Sequence, residues 1–221
     1  MNPAPVRILL VDDDPLVRAG LRMIIGSAPD LEVVAEAGDG SEVLPLIAQH
    51  RPDVLLMDIR MPTMDGIAAT QALTRRPNAP QIVMLTTFNT DQHVLRALQA
   101  GAAGFLLKDT PPATLIDSVR KAAAGEPVLS PAVTLQLIGQ VKTGSGHNHP
   151  AEAAGSRLAA LGERELEVAR AIGQGKTNAE IAAALYLSIP TVKTHVSNIL
   201  TKLDLTNRVQ IALMVHHIER R

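Results

Sequence analysis

Through the first 125 residues, short apolar runs alternate with stretches whose apolar positions recur every three or four residues. The runs Val6 to Val11, Glu32 to Ala35, Val54 to Met57, Gln81 to Leu85 and Gly104 to Leu107 predict strands. Leu16 to Ile25, with Val17, Leu21, Ile24 and Ile25 on one side, predicts a helix, as do Gly40 to Gln49, Gly66 to Arg75, Asp91 to Ala100 and Pro112 to Ala124. Val54 to Met57 is apolar on both faces, the pattern of a central parallel strand. Met61-Pro62 and Asp65-Gly66 then break that strand and start a helix. Strict strand and helix alternation predicts an α/β, doubly wound, five-stranded parallel sheet with helices on both faces.

After Gly125 the pattern changes. Glu126 to Gln140 has room for a short helix, whereas Lys142 to Ser156 is rich in Gly, Ser, Pro and Ala and reads as a flexible linker. His147 and His149 within it have no carboxylate or thiol pattern beside them and read as linker histidines. From Arg157 onward the pattern is all helical. Gly162 to Gln174 carries apolar Leu166, Val168, Ala169 and Ile172 and stops at Gly173 and Gly175. Thr177 to Glu180 is a capping box that opens a short helix to about Leu185. Leu187 and Ser188 turn the chain, and Ser188 can cap the next helix with Pro190 in its first turn, giving a helix-turn-helix.

Projected at about 100° per residue, Thr191 to Leu203 gathers Val192, Val196, Ile199, Leu200 and Leu203 into one stripe. Thr194, Ser197, Asn198 and Thr201 lie opposite, flanked by Lys193 and Lys202. A plain surface helix would more often show Glu and Lys pairs. Short hydrogen-bonding side chains with flanking cations suit a DNA groove, where base edges and phosphates must both be reached.

The chemistry of the first half sits at the strand ends. The first strand ends in Asp12, Asp13 and Asp14, the third in Asp58, the fourth in Thr86 and Thr87, and the fifth in Lys108. In a parallel sheet these ends share one edge, so carboxylates, a hydroxyl and an ammonium converge on one pocket. Clustered carboxylates disfavour each other's ionised form, and a divalent cation resolves the conflict. Hard oxygen ligands suit Mg²⁺, which holds one or two carboxylates beside phosphate oxygens and water. Lys108 is a matching point charge for a phosphate oxygen and Thr86 a hydroxyl donor. Together they describe a phosphoryl site.

Composition narrows the field further. An apolar content of 46% over 221 residues buries ordinary cores in one large or two small domains. Only Phe88, Phe105 and Tyr186 are aromatic, which argues against stacking platforms for single-stranded nucleic acid. Cysteine is absent, so no disulfide or thiolate site exists. The longest uncharged run, Pro127 to Val141, is 15 residues and interrupted by Ser and Pro, too short for a bilayer. The apolar run after Met1 to Arg7 ends in three aspartates rather than forming a signal peptide, so a cytoplasmic protein is expected. Residues 1–125 carry a net charge of −3 and residues 126–221 one of +2, with five Lys and Arg against two acids after Thr191. That late basic excess fits a polyanion partner.

The segments VRILLVDDD, LLMDIRMPTMDG, IVMLTTF and AGAAGFLLKD resemble the signatures of a response-regulator receiver domain, over residues 1–125. The resemblance implies a flavodoxin-like fold with Asp58 as phosphoacceptor, and Asp12 and Asp13 as the acidic pair that holds Mg²⁺ together with Asp58 and the Arg60 backbone carbonyl. It makes Thr86 the switch hydroxyl, Phe105 the switch aromatic and Lys108 the phosphoryl ligand; Asp14 falls at a variable position. Glu163 to Val168, KTNAEIAAAL and TVKTHVSNILTKL resemble a LuxR-type helix-turn-helix, with Gly162 where Thr or Ser is usual and Pro190 a milder departure. By position, Lys193, Thr194 and Ser197 would face base edges, and Thr191, His195 and Lys202 phosphates.

The whole chain is thus similar to a NarL/FixJ-type response regulator: receiver 1–125, linker 126–156, DNA-binding domain 157–221. The expected partners are a sensor histidine kinase, double-stranded DNA, a second copy on phosphorylation and RNA polymerase, and the chain is expected not to be an enzyme. Two rivals differ in class. A haloacid-dehalogenase-like phosphohydrolase would use the Asp12 and Asp14 spacing, with Asp12 as nucleophile. It leaves Asp58 and the C-terminal half unexplained, and Leu16 stands where that motif prefers Thr or Val. A phosphorylation-controlled protein-binding module would lack salt-dependent affinity for duplex DNA.

Overall fold

All five expected strands form in the computed structural model, which describes residues 4–74, 76, 79–87, 91–129, 158 and 160–219. The chain divides into two compact units, residues 1–134 and 135–221. The first alternates β1 (Val6–Val11), α1 (Pro15–Gly26), β2 (Leu31–Ala37), α2 (Val43–His50), β3 (Val54–Asp58), α3 (Gly66–Thr74), β4 (Gln81–Thr86), α4 (Asp91–Ala100), β5 (Gly104–Leu107) and α5 (Pro112–Ala123). The strands pair in parallel in the order β2-β1-β3-β4-β5, and the two residues Val128–Leu129 add β6 beside β5. The sheet therefore has six strands rather than five, and β6 occupies part of the segment expected to be helical. Residues 130–157, with the rest of that segment, His147 and His149, lie outside the described residues, as does Phe88.

Burial on both faces explains the near-continuous apolar strands. Ile8, Leu10, Val54, Leu56, Val83, Leu85 and Leu106 pack with Leu21 and Ile25 of α1 and with Leu115, Val119 and Ala122 of α5. The alternate residues Leu9, Val11, Leu55, Met57, Ile82, Met84 and Phe105 are as deeply buried on the other side. There α3 closes the sheet, with the Thr70 hydroxyl 3.7 Å from the Met84 sulfur.

Two boundaries differ from the periodic pattern because polar side chains set them. Asp14 caps α1 by accepting from the Leu16 amide at 2.8 Å, so the helix starts at Pro15, where a missing N–H costs nothing. Asp39 caps a 3₁₀ turn, Gly40–Glu42, that precedes α2.

The second unit holds α6 (Glu163–Gly173), α7 (Asn178–Leu185), α8 (Ile189–Leu203) and α9 (Arg208–Glu219). Val168, Ile172, Ile181, Val192, Ile199, Leu203, Ile211 and Val215 form its core. Gly162 has no side chain to cap α6, and half of a capping box remains, the Glu165 carboxylate accepting from the Gly162 amide at 2.8 Å. Thr177 and Glu180 complete a full box at α7, whose last turn ends with Tyr186 in the left-handed region at φ 56°. Ser188 then caps α8 through the Thr191 amide, so that helix begins at Ile189, two residues before the stretch projected from sequence. Arg208 ties α9 to the start of α7 through the Asn178 side chain and the Lys176 carbonyl. Among the described residues, no helix is long and apolar enough to cross a membrane.

Candidate functional site

Strand register builds the acidic pocket. Val11 stands beside Met57, Asp58 beside Leu85 and Thr86 beside Leu107, so Asp12, Asp58, Thr86 and Lys108 leave the sheet at one edge. Asp12 is fully buried, Asp58 is 7% exposed and Asp13 faces solvent. Carboxylate oxygens of the three lie within 4.8 Å of one another.

Lys108 spans two of them. Its ammonium is 2.6 Å from Asp12 Oδ2 and 2.9 Å from Asp58 Oδ2. The other Asp58 oxygen accepts from the Ile59 amide at 2.7 Å, and Asp12 Oδ1 accepts from the Asp14 amide at 3.0 Å. Burial pushes the Asp58 carboxyl above its ordinary pKa; Lys108 opposes that rise and the Asp12 charge adds to it. Burial works against the charge on Lys108 as well, but the Asp12 and Asp58 carboxylates beside it outweigh burial and hold it above the usual lysine value. The pocket is therefore a set of hard oxygen donors balanced by one ammonium, a donor set that fits a small divalent cation beside a phosphoryl group.

The remaining receiver residues are less equal. Thr86 is buried at the end of β4, and its carbonyl accepts from the Lys108 amide at 2.8 Å. Phe105 is fully buried within β5. Arg60 lies two residues past Asp58 with its side chain in solvent. Asp14 is engaged in capping α1, which removes the second acid of the Asp12 and Asp14 spacing from the pocket. Two contributors escape sequence reasoning: Arg18, whose guanidinium donates to the Asp12 carbonyl, and Asp39, whose carboxylate reaches the loop after Asp58. Both act across turns, where no periodic signal exists.

On α8 the described burial follows the projection. Val192, Ile199 and Leu203 are buried, while Thr191, Lys193, Thr194, Ser197 and Asn198 are exposed. Thr194 and Thr201 donate back to the Pro190 and Ser197 carbonyls at 3.1 and 3.0 Å, and Thr191 is tied to Ser188. His195 is half-buried, and its Nδ1 lies in the interior without a partner. Lys202 donates to the Glu165 carboxylate at 2.7 Å, a pairing no sequence pattern announces.

Comparison with known proteins agrees across both units. Residues 8–120 match the response regulator receiver domain, and residues 159–215 match the luxR family of bacterial regulatory proteins. The transcriptional regulatory protein LiaR of Bacillus subtilis is 41% identical, over 96% of this chain and 97% of its own length. The response regulator protein VraR of Staphylococcus aureus is 36% identical, over 94% and 95%. Among solved structures, the response regulator ChrA of a heme-sensing two-component system aligns over 98% of this chain and 99% of its own, with a TM-score of 0.54 and 37% identity. On these grounds the chain belongs to the response regulators that join a receiver domain to a LuxR-type DNA-binding domain and act as transcriptional regulators.

Proposed function

We propose that this transcription factor is switched by a phosphoryl group that Asp58 accepts from a sensor histidine kinase in the cytoplasm. The observation that carries the reading is the Lys108 ammonium bridging the buried Asp12 and Asp58 carboxylates. An Asp58 oxygen attacks phosphorus in line as the bond to the donor nitrogen breaks. Lys108 and the Thr86 hydroxyl then each take a phosphoryl oxygen. Asp12, Asp13, Asp58 and the Arg60 carbonyl would hold Mg²⁺, which supplies positive charge against the transferring oxygens. An acyl phosphate adds charge and acceptors that only an inward Thr86 and Lys108 satisfy, so the two receiver states bind it unequally and the population shifts. Phe105 follows Thr86 in that shift, and the favoured state dimerises.

The receiver spans residues 1–125, the linker 126–156 and the DNA-binding domain 157–221 in this reading. Two copies place α8 in adjacent major grooves of duplex DNA, with Lys193, Thr194 and Ser197 toward base edges and Thr191, His195 and Lys202 toward phosphates. Lys202 keeps donors beyond the one aimed at Glu165. The DNA-bound dimer then acts on RNA polymerase. Intact-mass spectrometry after treatment with a small phosphodonor and Mg²⁺ tests the core of this: wild type gains one phosphoryl group and Asp58→Asn gains none. Equal labelling of the two would overturn it.

A further inference from the structure

The loop Ile59–Asp65, which carries the backbone away from Asp58, is held at three points. At its base the Gly66 amide donates to the Ile59 carbonyl at 2.9 Å, and a Cβ on Gly66 would lie 2.1 Å from the Asp58 carbonyl oxygen. At its end Asp65 caps α3 through the Ala68 amide at 2.7 Å. Its tip is held from outside, by a residue in the loop that follows β2. The Asp39 carboxylate accepts from the Thr63 amide at 2.8 Å and from the Met64 amide at 3.2 and 3.3 Å, while also accepting from the Ser41 amide and hydroxyl at 2.9 and 2.7 Å.

Gly40 lets the two loops meet, because a Cβ there would fall 2.6 Å from the Met64 carbonyl oxygen. The Ser41 hydroxyl and amide, with the Thr63 and Met64 amides, hold the Asp39 carboxyl well below the usual carboxylate range. Asp39 is therefore an anion facing backbone donors from two loops. A simple cap of the Gly40 turn needs only the Ser41 bonds; the pair of bonds to residues 24 and 25 positions away is surplus to capping.

We propose that Asp39 is a positioning residue for the phosphoryl site: it clamps the tip of the loop Ile59–Asp65 and so presets the backbone after Asp58, including the Arg60 carbonyl, for Mg²⁺. The proposal rests on the reading of Asp58 as phosphoacceptor and of Arg60 as a ligand. Arg60 lies between the base, closed at Ile59 by the Gly66 amide, and the tip held at Thr63. With the clamp released, the buried Ile59 and Met61 side chains still anchor that stretch, but its tip loses its hydrogen bonds and part of its ordering falls to cation binding, at a cost in affinity.

The test uses the full chain as wild type, Asp39→Asn and Asp39→Glu. Asn keeps the size and the Ser41 cap but turns an amide donor toward the Thr63 N–H. Glu keeps the charge but carries its carboxylate past the two amides. Mg²⁺ is titrated calorimetrically without phosphodonor, and phosphorylation is then followed by intact mass over the same Mg²⁺ range. Both variants are expected to need about tenfold more Mg²⁺, the usual loss when a group orienting a metal's ligands is removed, with the labelling reached at saturating Mg²⁺ unchanged. Wild-type affinity in both variants, or loss in Asp39→Asn alone, which would mark an effect of charge, overturns the clamp. Amide hydrogen exchange in the wild type adds a measurement that needs no variant: Thr63 and Met64 should exchange slowly although Thr63 is exposed, and rapid exchange of both overturns the proposal. A wild type that binds Mg²⁺ but takes no phosphoryl group would instead sink the reading of Asp58, with the titration still deciding the clamp.

Discussion

The Lys202 ammonium lies 2.7 Å from the Glu165 carboxylate, so the cation near the end of α8 is tied to the first turn of α6. Glu165 is nearly buried and half of Lys202 is solvated. Removing the lysine leaves the carboxylate with the Gly162 amide. Lys202→Ala and Glu165→Gln should each destabilise the C-terminal unit by about 1 kcal/mol, since one partner of the pair remains screened by water. A double-mutant cycle in urea unfolding of the full chain should show most of that loss to be shared. Additive losses would mean that the pair is not coupled.

The same pair has a pH signature. Lys202 first, then the Gly162 amide, hold the Glu165 carboxyl below its ordinary value. A carboxylate with a lowered folded pKa contributes stability above the unfolded pKa, about 4.3 for Glu, and loses it as pH falls toward the folded value. Acid should therefore weaken wild type more steeply below about pH 4.3 than it weakens Glu165→Gln. Parallel unfolding curves for the two proteins from neutral to acid pH would contradict this.

Why the sequence revealed the pocket and not this pair is a matter of period. Asp12, Asp58, Thr86 and Lys108 were legible because strand alternation in a parallel sheet sends every strand end to one edge, and the four end strands on that rule. Val192, Ile199 and Leu203 were legible for the same kind of reason, a helical stripe. Asp39 meets Thr63 between irregular loops, and Glu165 meets Lys202 between two helices, and the period of one segment does not say which side chain of another it will face. β6 escaped as well. Two residues are too few to show alternation, and the strand exists because β5 offers an unpaired edge.

Gly66 is a position of the receiver with no room for a side chain. A methyl group there would lie 2.1 Å from the Asp58 carbonyl and 2.9 Å from the Met84 terminal carbon, and backbone cannot yield as a flexible side chain can. Gly66→Ala should cost on the order of 3 kcal/mol and distort the loop that follows Asp58. Thermal unfolding at wild-type temperature would show that the loop relaxes freely.

Substitutions at Asp14 and Asp58 test which acid of the pocket accepts the phosphoryl group. Asp14 accepts from the Leu16 amide as the cap of α1, a role that Asn fills almost as well. Asp14→Asn should be labelled by a small phosphodonor as wild type is, while Asp58→Asn should not. Labelling lost in Asp12→Asn and kept in Asp58→Asn would transfer the nucleophile to Asp12 and revive a phosphohydrolase.

For DNA, α8 gives separable expectations. Lys193 is exposed with Thr194 and Ser197, and in the proposed reading it turns toward base edges. Lys193→Ala should cost about 1 to 3 kcal/mol on the preferred site and relax the preference at particular base pairs. Lys202→Ala should weaken preferred and scrambled duplexes nearly equally and lower the salt slope by about one ion. Glu165→Gln isolates the structural share of that effect, because it breaks the same pair and leaves the cation in place. Val196 is half-buried against the core, so Val196→Asp sinks an unpaired charge and supplies the control for lost fold. Should Lys193→Ala keep both its affinity and its discrimination while the unit stays folded, the face of α8 that carries Thr194 and Ser197 is not what reads the DNA.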